Sequence, residues 1–131
     1  MNINIRGRLF DLSKPKVMGI LNLTPDSFYD GGVHNEINKI EDHVNKMVND
    51  GMDILDIGGY SSKPGAKNIS VDEELTRVIP VLKHIRKIFP DLVISIDTFR
   101  SKIASRSLDE GADIINDISG GTLDKNMMSV I

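Results

Sequence analysis

The sequence predicts an α/β fold: the first half of a TIM (β/α)8 barrel, about four βα units, entered through a short N-terminal β-hairpin. Three observations predict it. Apolar runs of strand length alternate with segments of helical period, the order that builds a parallel sheet with right-handed crossovers. Polar residues gather at the C-terminal end of each run, the rim on which barrel enzymes carry their sites. The stretch Gly51-Met-Asp-Ile-Leu-Asp-Ile-Gly-Gly59 is echoed sixty residues later by Gly111-Ala-Asp-Ile-Ile-Asn-Asp-Ile-Ser-Gly-Gly121. That period spans two βα units, which suits a barrel, where alternate strands fill one side-chain layer, better than a flavodoxin-like sheet.

In chain order, Asn2–Leu12 alternates Ile3 and Ile5 around Gly7 and reads as a hairpin, a plug for the barrel floor. Four strands follow at Val17–Leu23, Asp53–Ile57, Leu92–Ile96 and Asp113–Ile118. Between the first two, Asn35–Asp50 sets Ile37, Ile40, Val44, Met47 and Val48 on one helical face, and Gly51 stops it. The next helix opens on the capping box Ser70-Val71-Asp72-Glu73. Its acidic start, Asp72-Glu73-Glu74, complements the helix dipole. Leu75, Val78, Ile79, Leu82, Ile85 and Ile88 keep helical spacing past Pro80, which should kink the helix or split it. A shorter helix covers Ser101–Glu110, and another begins at Asp124.

Composition is that of a globular domain: 131 residues, 40% hydrophobic and 27% charged. A net charge of −3 leaves no electrostatic footprint for nucleic acid or an anionic membrane. With no cysteine there are no disulfides and no thiolate metal sites. The sequence contains no run of apolar residues long enough to span a bilayer, and a cytoplasmic location is the expectation. A full barrel needs about 250 residues. Residues 1–131 are therefore expected to form a single incomplete domain, a truncated fragment without catalytic activity by itself, whose first and fourth strands would be unpartnered edges.

Parallel strands share one rim, so its polar residues can be taken strand by strand. The first delivers Asn22, Thr24, Asp26 and Ser27; the second Asp56 and the loop Gly58-Gly-Tyr-Ser-Ser-Lys-Pro-Gly65; the third Asp97, Thr98 and Arg100; the fourth Asn116 and Asp117. Asp97 directly follows Val93-Ile-Ser-Ile96, and a carboxylate there suits a ligand with adjacent ring N–H and amino donors. As an alternative, it caps the following helix. Asn116 can read a heterocycle's edge or close its own turn. The glycine-rich loop with hydroxyls and Lys63 has the equipment of a phosphate or diphosphate site. Asn22 is a hard oxygen donor of the kind Mg²⁺ accepts beside a diphosphate. His34, His43 and His84 lack metal-ligand spacing, and the latter two read as surface residues of helices.

Four segments together resemble dihydropteroate synthase of the pterin-binding family: Met18-Gly-Ile-Leu-Asn-Leu-Thr-Pro-Asp-Ser-Phe-Tyr-Asp-Gly-Gly32, Asp56-Ile-Gly-Gly-Tyr-Ser-Ser-Lys-Pro-Gly-Ala66, Ser95-Ile-Asp-Thr98 and Ile115-Asn-Asp-Ile-Ser-Gly-Gly121. The resemblance covers nearly the whole chain and corresponds to the N-terminal half of that enzyme. It implies a transferase of folate biosynthesis that condenses 6-hydroxymethyl-7,8-dihydropterin diphosphate with 4-aminobenzoate, releasing diphosphate. Carried over residue by residue, it implies Mg²⁺ at Asn22 and pterin at Asp97 and Asn116. Ser62 and Lys63 would then lie near the diphosphate and aminobenzoate, with Thr24, Pro25, Asp26 and Phe28 folding over the site. Asp97 would be the catalytic residue, stabilising positive charge on the pterin. The full-length relatives this implies are homodimers.

Two departures stand out. Tyr60, Ser62 and Lys63 replace the Glu, Thr and Arg usual in the second loop, and lysine lacks arginine's bidentate geometry. The family's second-half pterin Asp, Lys and Arg-x-His anion pair have no counterpart in these residues. Alternative readings are a methyltetrahydrofolate-dependent methyltransferase, and a non-catalytic pterin-binding half-barrel that assembles with another chain.

Overall fold

The computed structural model describes residues 1–24, 33–61, 64–65 and 67–131, with residues 33–35 described in their backbone only. Strands β1 (Asn2–Ile5) and β2 (Arg8–Asp11) form the antiparallel hairpin. Four parallel strands follow, β3 (Met18–Asn22), β4 (Ile54–Gly58), β5 (Val93–Asp97) and β6 (Ile114–Asn116), in the spatial order of the sequence. Helices α1 (Val33–Asn49), α2 (Val71–Ile88) and α3 (Ser101–Asp109) connect them, and a single turn, α4 (Met127–Val130), comes last. No helix among the described residues is long and apolar enough to cross a membrane.

Side-chain alternation divides the sheet into two faces. Leu21, Leu55, Ile57, Ile94 and Ile96 are fully buried against Val44 of α1 and Val78, Leu82 and Ile85 of α2. The opposite parity faces away from the helices. At its N-terminal end Ile54 and Val93 pack on Ile5 of the hairpin, with Ile3, Phe10 and Ile114 around them. The hairpin thus covers the floor of the sheet, as its position in the sequence predicts, and leaves the C-terminal ends to the rim.

The internal echo has a physical basis. Gly51 and Gly111 adopt φ of 102° and 101°, the left-handed conformation that glycine takes without Cβ strain. Each closes its helix with a Schellman pair: Met52 N–H to the Met47 carbonyl and Gly51 N–H to Val48, then Ala112 N–H to Ser107 and Gly111 N–H to Leu108. Two residues on, the repeated aspartate accepts a backbone N–H from the neighbouring segment, Asp53 from Val17 just before β3 and Asp113 from Ile94 of β5, both at 2.9 Å. The same device therefore ends a helix and starts a strand twice.

Asp113 also gathers a basic cluster that no sequence pattern announces. Arg86 of α2 donates to Asp113 Oδ2 at 2.7 Å and to the carbonyls of Gly111 and Leu92, and Arg6 of the hairpin pairs with Asp113 at 2.5 Å. One buried carboxylate joins α2, β5, β6 and the hairpin.

Several expectations need correcting. α2 runs unbroken through Pro80, because its packing on β4 and β5 outweighs the one backbone hydrogen bond that proline forfeits. Ser70 accepts from Glu73 N–H at 3.1 Å, but the Glu73 carboxylate pairs with Arg77 at 2.6 Å instead of returning to Ser70, so only half the capping box forms. Asp72, Glu73 and Glu74 do occupy the first turn of α2, and Glu74 is in addition fully buried. His84 is half-buried and shares a 2.9 Å contact with Glu41. β6 ends at Asn116, short of Ile118, because Asp117 turns the chain by accepting from the N–H groups of Ser119 and Gly121.

Candidate active site

The register aligns the strand ends in rows. Asn22 lies beside Gly58, Gly58 beside Asp97, and Asp97 beside Asn116. Two residues toward the floor, the next row is Ile20, Asp56, Ser95 and Ile114. Both rows have the parity that faces away from the helices, so amides and carboxylates from four strands share one surface. Three of the sequence candidates, Asn22, Asp97 and Asn116, stand in a single row, and Gly58 separates Asn22 from Asp97 without interposing a side chain. Thr24 lies half-buried just past the end of β3. Pro25, Asp26, Phe28, Ser62 and Lys63 lie outside the described residues.

Asn116 donates from Nδ2 to Asp56 Oδ2 at 3.2 Å, a bond that spans from β6 to β4. The other Asp56 oxygen and the Ser95 hydroxyl beside it are buried and have no hydrogen-bond partner among the described residues. An unsatisfied buried acceptor costs about 1–3 kcal/mol, and the Asp56 oxygen can accept a polar hydrogen from a ligand. In the sequence Asp56 stands on the rim and Ser95 opens the segment Ser95-Ile-Asp-Thr98, neither with an assigned role; the signal for Ser95 is a serine interrupting an otherwise aliphatic strand.

Asp97 does not cap the following helix. That N-terminus is served by Asp124, which accepts from Ser101 N–H at 2.7 Å, and by Thr98, whose hydroxyl accepts from Arg100 N–H. The Asp97 carboxylate instead takes the Tyr60 hydroxyl on Oδ1 at 3.1 Å. Burial raises its pKa above the ordinary carboxylate value, the Tyr60 hydrogen bond opposes that rise, and the nearby charge of Asp56 adds to it. Burial, and then the Asp97 charge, push the Tyr60 phenol well up, so it is a neutral donor at any physiological pH.

Behind the row, charged groups hold the second loop. Glu74 of α2 accepts from Thr98 Oγ1 at 2.9 Å and from Arg100 at 2.8 Å. Arg100 donates onward to the Ile69 carbonyl at 2.6 Å, and Arg77 donates to the Gly59 carbonyl at 3.1 Å. Two arginines thus fasten the loop where it leaves β4 and where it enters α2. Gly59 is pressed against α2 so closely that a Cβ there would come within 2.7 Å of Val78 Cγ2. Among the described residues no three His, Cys, Asp or Glu side chains converge as a metal cage.

Comparison with known proteins agrees with this architecture. The family described as pterin binding enzyme matches residues 18–131. A dihydropteroate synthase of Clostridium beijerinckii is 47% identical over 114 residues, 87% of this chain and 42% of that protein. The structure of Xanthomonas albilineans dihydropteroate synthase with 4-aminobenzoic acid superposes with a TM-score of 0.88 at 38% identity, covering 98% of this chain and 47% of that one. A Clostridium difficile dihydropteroate synthase in the presence of pteroic acid gives 0.86 at 46% identity, over 91% and 45% of the two chains. The chain spans less than half the length of each of these relatives. The parallel sheet, the hairpin and the rim sequence are thus those of the first half of a dihydropteroate synthase barrel, and the chain belongs to the pterin-binding enzyme family.

Proposed function

We propose that residues 1–131 contribute the pterin half of a dihydropteroate synthase site, in which 6-hydroxymethyl-7,8-dihydropterin diphosphate and 4-aminobenzoate give 7,8-dihydropteroate and diphosphate. The observation that carries this reading is the row Asn22–Gly58–Asp97–Asn116 above the unsatisfied Asp56 oxygen. A planar heterocycle with an amino group next to a ring N–H presents adjacent donors on one edge, which a carboxylate accepts in parallel. Asp97 is assigned that edge, and Asn116, already tied to Asp56, the neighbouring donors and acceptors. The relatives named above as dihydropteroate synthases, one with 4-aminobenzoic acid and one with pteroic acid, support the choice of substrates.

In the reaction the C–O bond to diphosphate breaks with its electrons leaving on the diphosphate. The arylamine nitrogen then bonds to the same carbon and loses a proton. Positive charge develops on the pterin between these events. An ionised Asp97 in a half-buried setting stabilises it more than water would, because the surroundings screen the interaction less. Ser62 and Lys63 are assigned to the departing diphosphate and the aminobenzoate, and Thr24, Pro25, Asp26 and Phe28 to the cover. Mg²⁺ fits the donor set in this manner: it binds diphosphate through few protein ligands and keeps several waters, so the amide oxygen of Asn22 is adequate where the described residues offer no all-protein cage. Bound there, the ion would neutralise leaving-group charge.

The experiment is a steady-state assay of the protein at its natural length with both substrates, scoring dihydropteroate and diphosphate together. Equal formation of the two supports the reading. Tight pterin binding without turnover would favour a non-catalytic pterin-binding protein, and absence of pterin binding would end the proposal. A pH dependence is also expected. Pterin recognition requires Asp97 ionised, and burial raises its pKa, so affinity should fall on acidification at a higher pH than for an ordinary aspartate. Calorimetric titration with 6-hydroxymethylpterin between pH 4 and 8 measures this; a flat profile contradicts it.

A further inference from the structure

Among the described residues Tyr60 is the one aromatic hydroxyl bonded to the row, and its ring is held from one side. Its ring meets Phe99 edge-on at 5.3 Å and 89°. Phe99 in turn lies under the Arg100 guanidinium at 5.0 Å, and Arg100 is held by Glu74 and the Ile69 carbonyl. The sequence Tyr60–Phe99–Arg100–Glu74 runs from the rim into the fully buried side of α2, so the phenol is fixed by packing and charge rather than by its own rotamer alone.

Asp97 needs such a partner. The carboxylate torsion is broad and two-fold, so an unrestrained Asp97 would present its oxygens at many angles. A hydrogen bond on Oδ1 from one side selects one angle. An ionised carboxylate has about four acceptor positions, so Tyr60 uses one and leaves the others for a ligand. We propose that Tyr60 is a positioning residue for pterin: its hydroxyl locks the Asp97 carboxylate in the orientation that accepts the two adjacent pterin donors. This rests on the pterin reading given above. It also gives a purpose to the Tyr60-Phe99-Arg100 stack, which otherwise costs side-chain freedom at a half-buried rim.

The role has a consequence that plain packing would not have. Asp97 is faced by Tyr60 of the second loop, Asp56 of β4, Glu74 of α2 with its partner Arg100, and Asp117 beyond β6. Of the groups directed at it, Tyr60 favours the ionised form, while Asp56, Glu74 and Asp117 oppose it. Removing only the hydroxyl should therefore move Asp97 titration upward.

The test is Tyr60→Phe in the protein at its natural length, read in two ways. Nuclear magnetic resonance of the Asp97 side-chain carbon, titrated without ligand, should show the variant protonating at a higher pH than the wild type. The dissociation constant of 6-hydroxymethylpterin should rise about 3- to 10-fold at neutral pH, the worth of one hydrogen bond, with its acid limb displaced in the same direction. The KM for 4-aminobenzoate should be unchanged. Phe99→Leu, which keeps the hydroxyl but loosens it, should move both readouts the same way by less. An unmoved Asp97 titration overturns the proposal whether or not pterin binds. A loss of affinity without the titration shift also overturns it, since that is general disturbance. If titration shifts but the wild-type protein binds no pterin, the pterin reading fails and the positioning role falls with it.

Discussion

Asp97→Asn is expected to weaken pterin binding by about 1–3 kcal/mol, roughly 5- to 150-fold in dissociation constant, while leaving the fold as stable as before or more so. The two effects have one cause. The Asp97 charge sits half-buried, and burial is the largest influence raising its pKa. Folding therefore carries a cost for the ionised form that the neutral amide does not bear. The amide keeps one acceptor for the Tyr60 hydroxyl, so the loop contact survives. Toward a heterocycle, however, it replaces a paired acceptor by one acceptor and one donor, and an N–H would then face an N–H. Binding should fall while the thermal midpoint stays level or rises, the pattern of a residue retained for function against stability. An unchanged dissociation constant would remove Asp97 from the pterin site. A large loss of stability would mean that its charge serves the fold.

How much of this was legible beforehand depends on the range of each interaction. The strands were legible because Met18–Asn22, Ile54–Gly58 and Val93–Asp97 are short apolar runs ending in glycine, amide or carboxylate. The helix stops at Gly51 and Gly111 were legible because one residue type meets a conformational demand there. The parallel order follows from connection length, and with it the rim and most of its polar members. What sequence could not supply was pairing across distance. Arg86 with Asp113, Arg100 with Glu74 and Tyr60 with Asp97 join residues 26 to 37 positions apart, and the local pattern around each suggests something else. Glu74 belongs to an acidic helix start, Tyr60 to a glycine-rich turn, and Arg86 to a basic helix end that dipole reasoning would explain. The local explanation was sufficient in each case, and it hid the tertiary one. Register is a further instance: the alignment of Asn22, Asp97 and Asn116 in one row depends on which residues pair, a fact absent from any single strand.

Glu74→Ala should be the most destabilising polar substitution among the described residues, about 3–5 kcal/mol in denaturant unfolding, because it strands a charge. Glu74 is fully buried, and the Arg100 side chain it holds is only 16% exposed. With the carboxylate gone, Arg100 keeps the Ile69 carbonyl but loses its counter-charge, and Thr98 loses its acceptor. Burial is also the largest influence on Glu74, and it raises the pKa in spite of Thr98 and Arg100. Desolvation thus exceeds what the partners return, so the pair is costly to bury and costlier still to break. The sign for pH follows. A carboxyl whose folded pKa is raised contributes stability that is complete below its ordinary value of 4.5 and is lost as pH rises through the folded value. Glu74→Gln should abolish that slope and cost less than the alanine, since it keeps an acceptor for Thr98. The decisive variant is the double substitution Glu74→Met with Arg100→Met. Removing both charges should recover most or all of the stability lost by Glu74→Ala, whereas additive losses would show that the two side chains act independently. The double variant should still weaken pterin binding, because Phe99 loses the guanidinium above it and Tyr60 loses part of its support. Recovery of folding without recovery of binding would separate the scaffold role of this ion pair from its role in holding the rim.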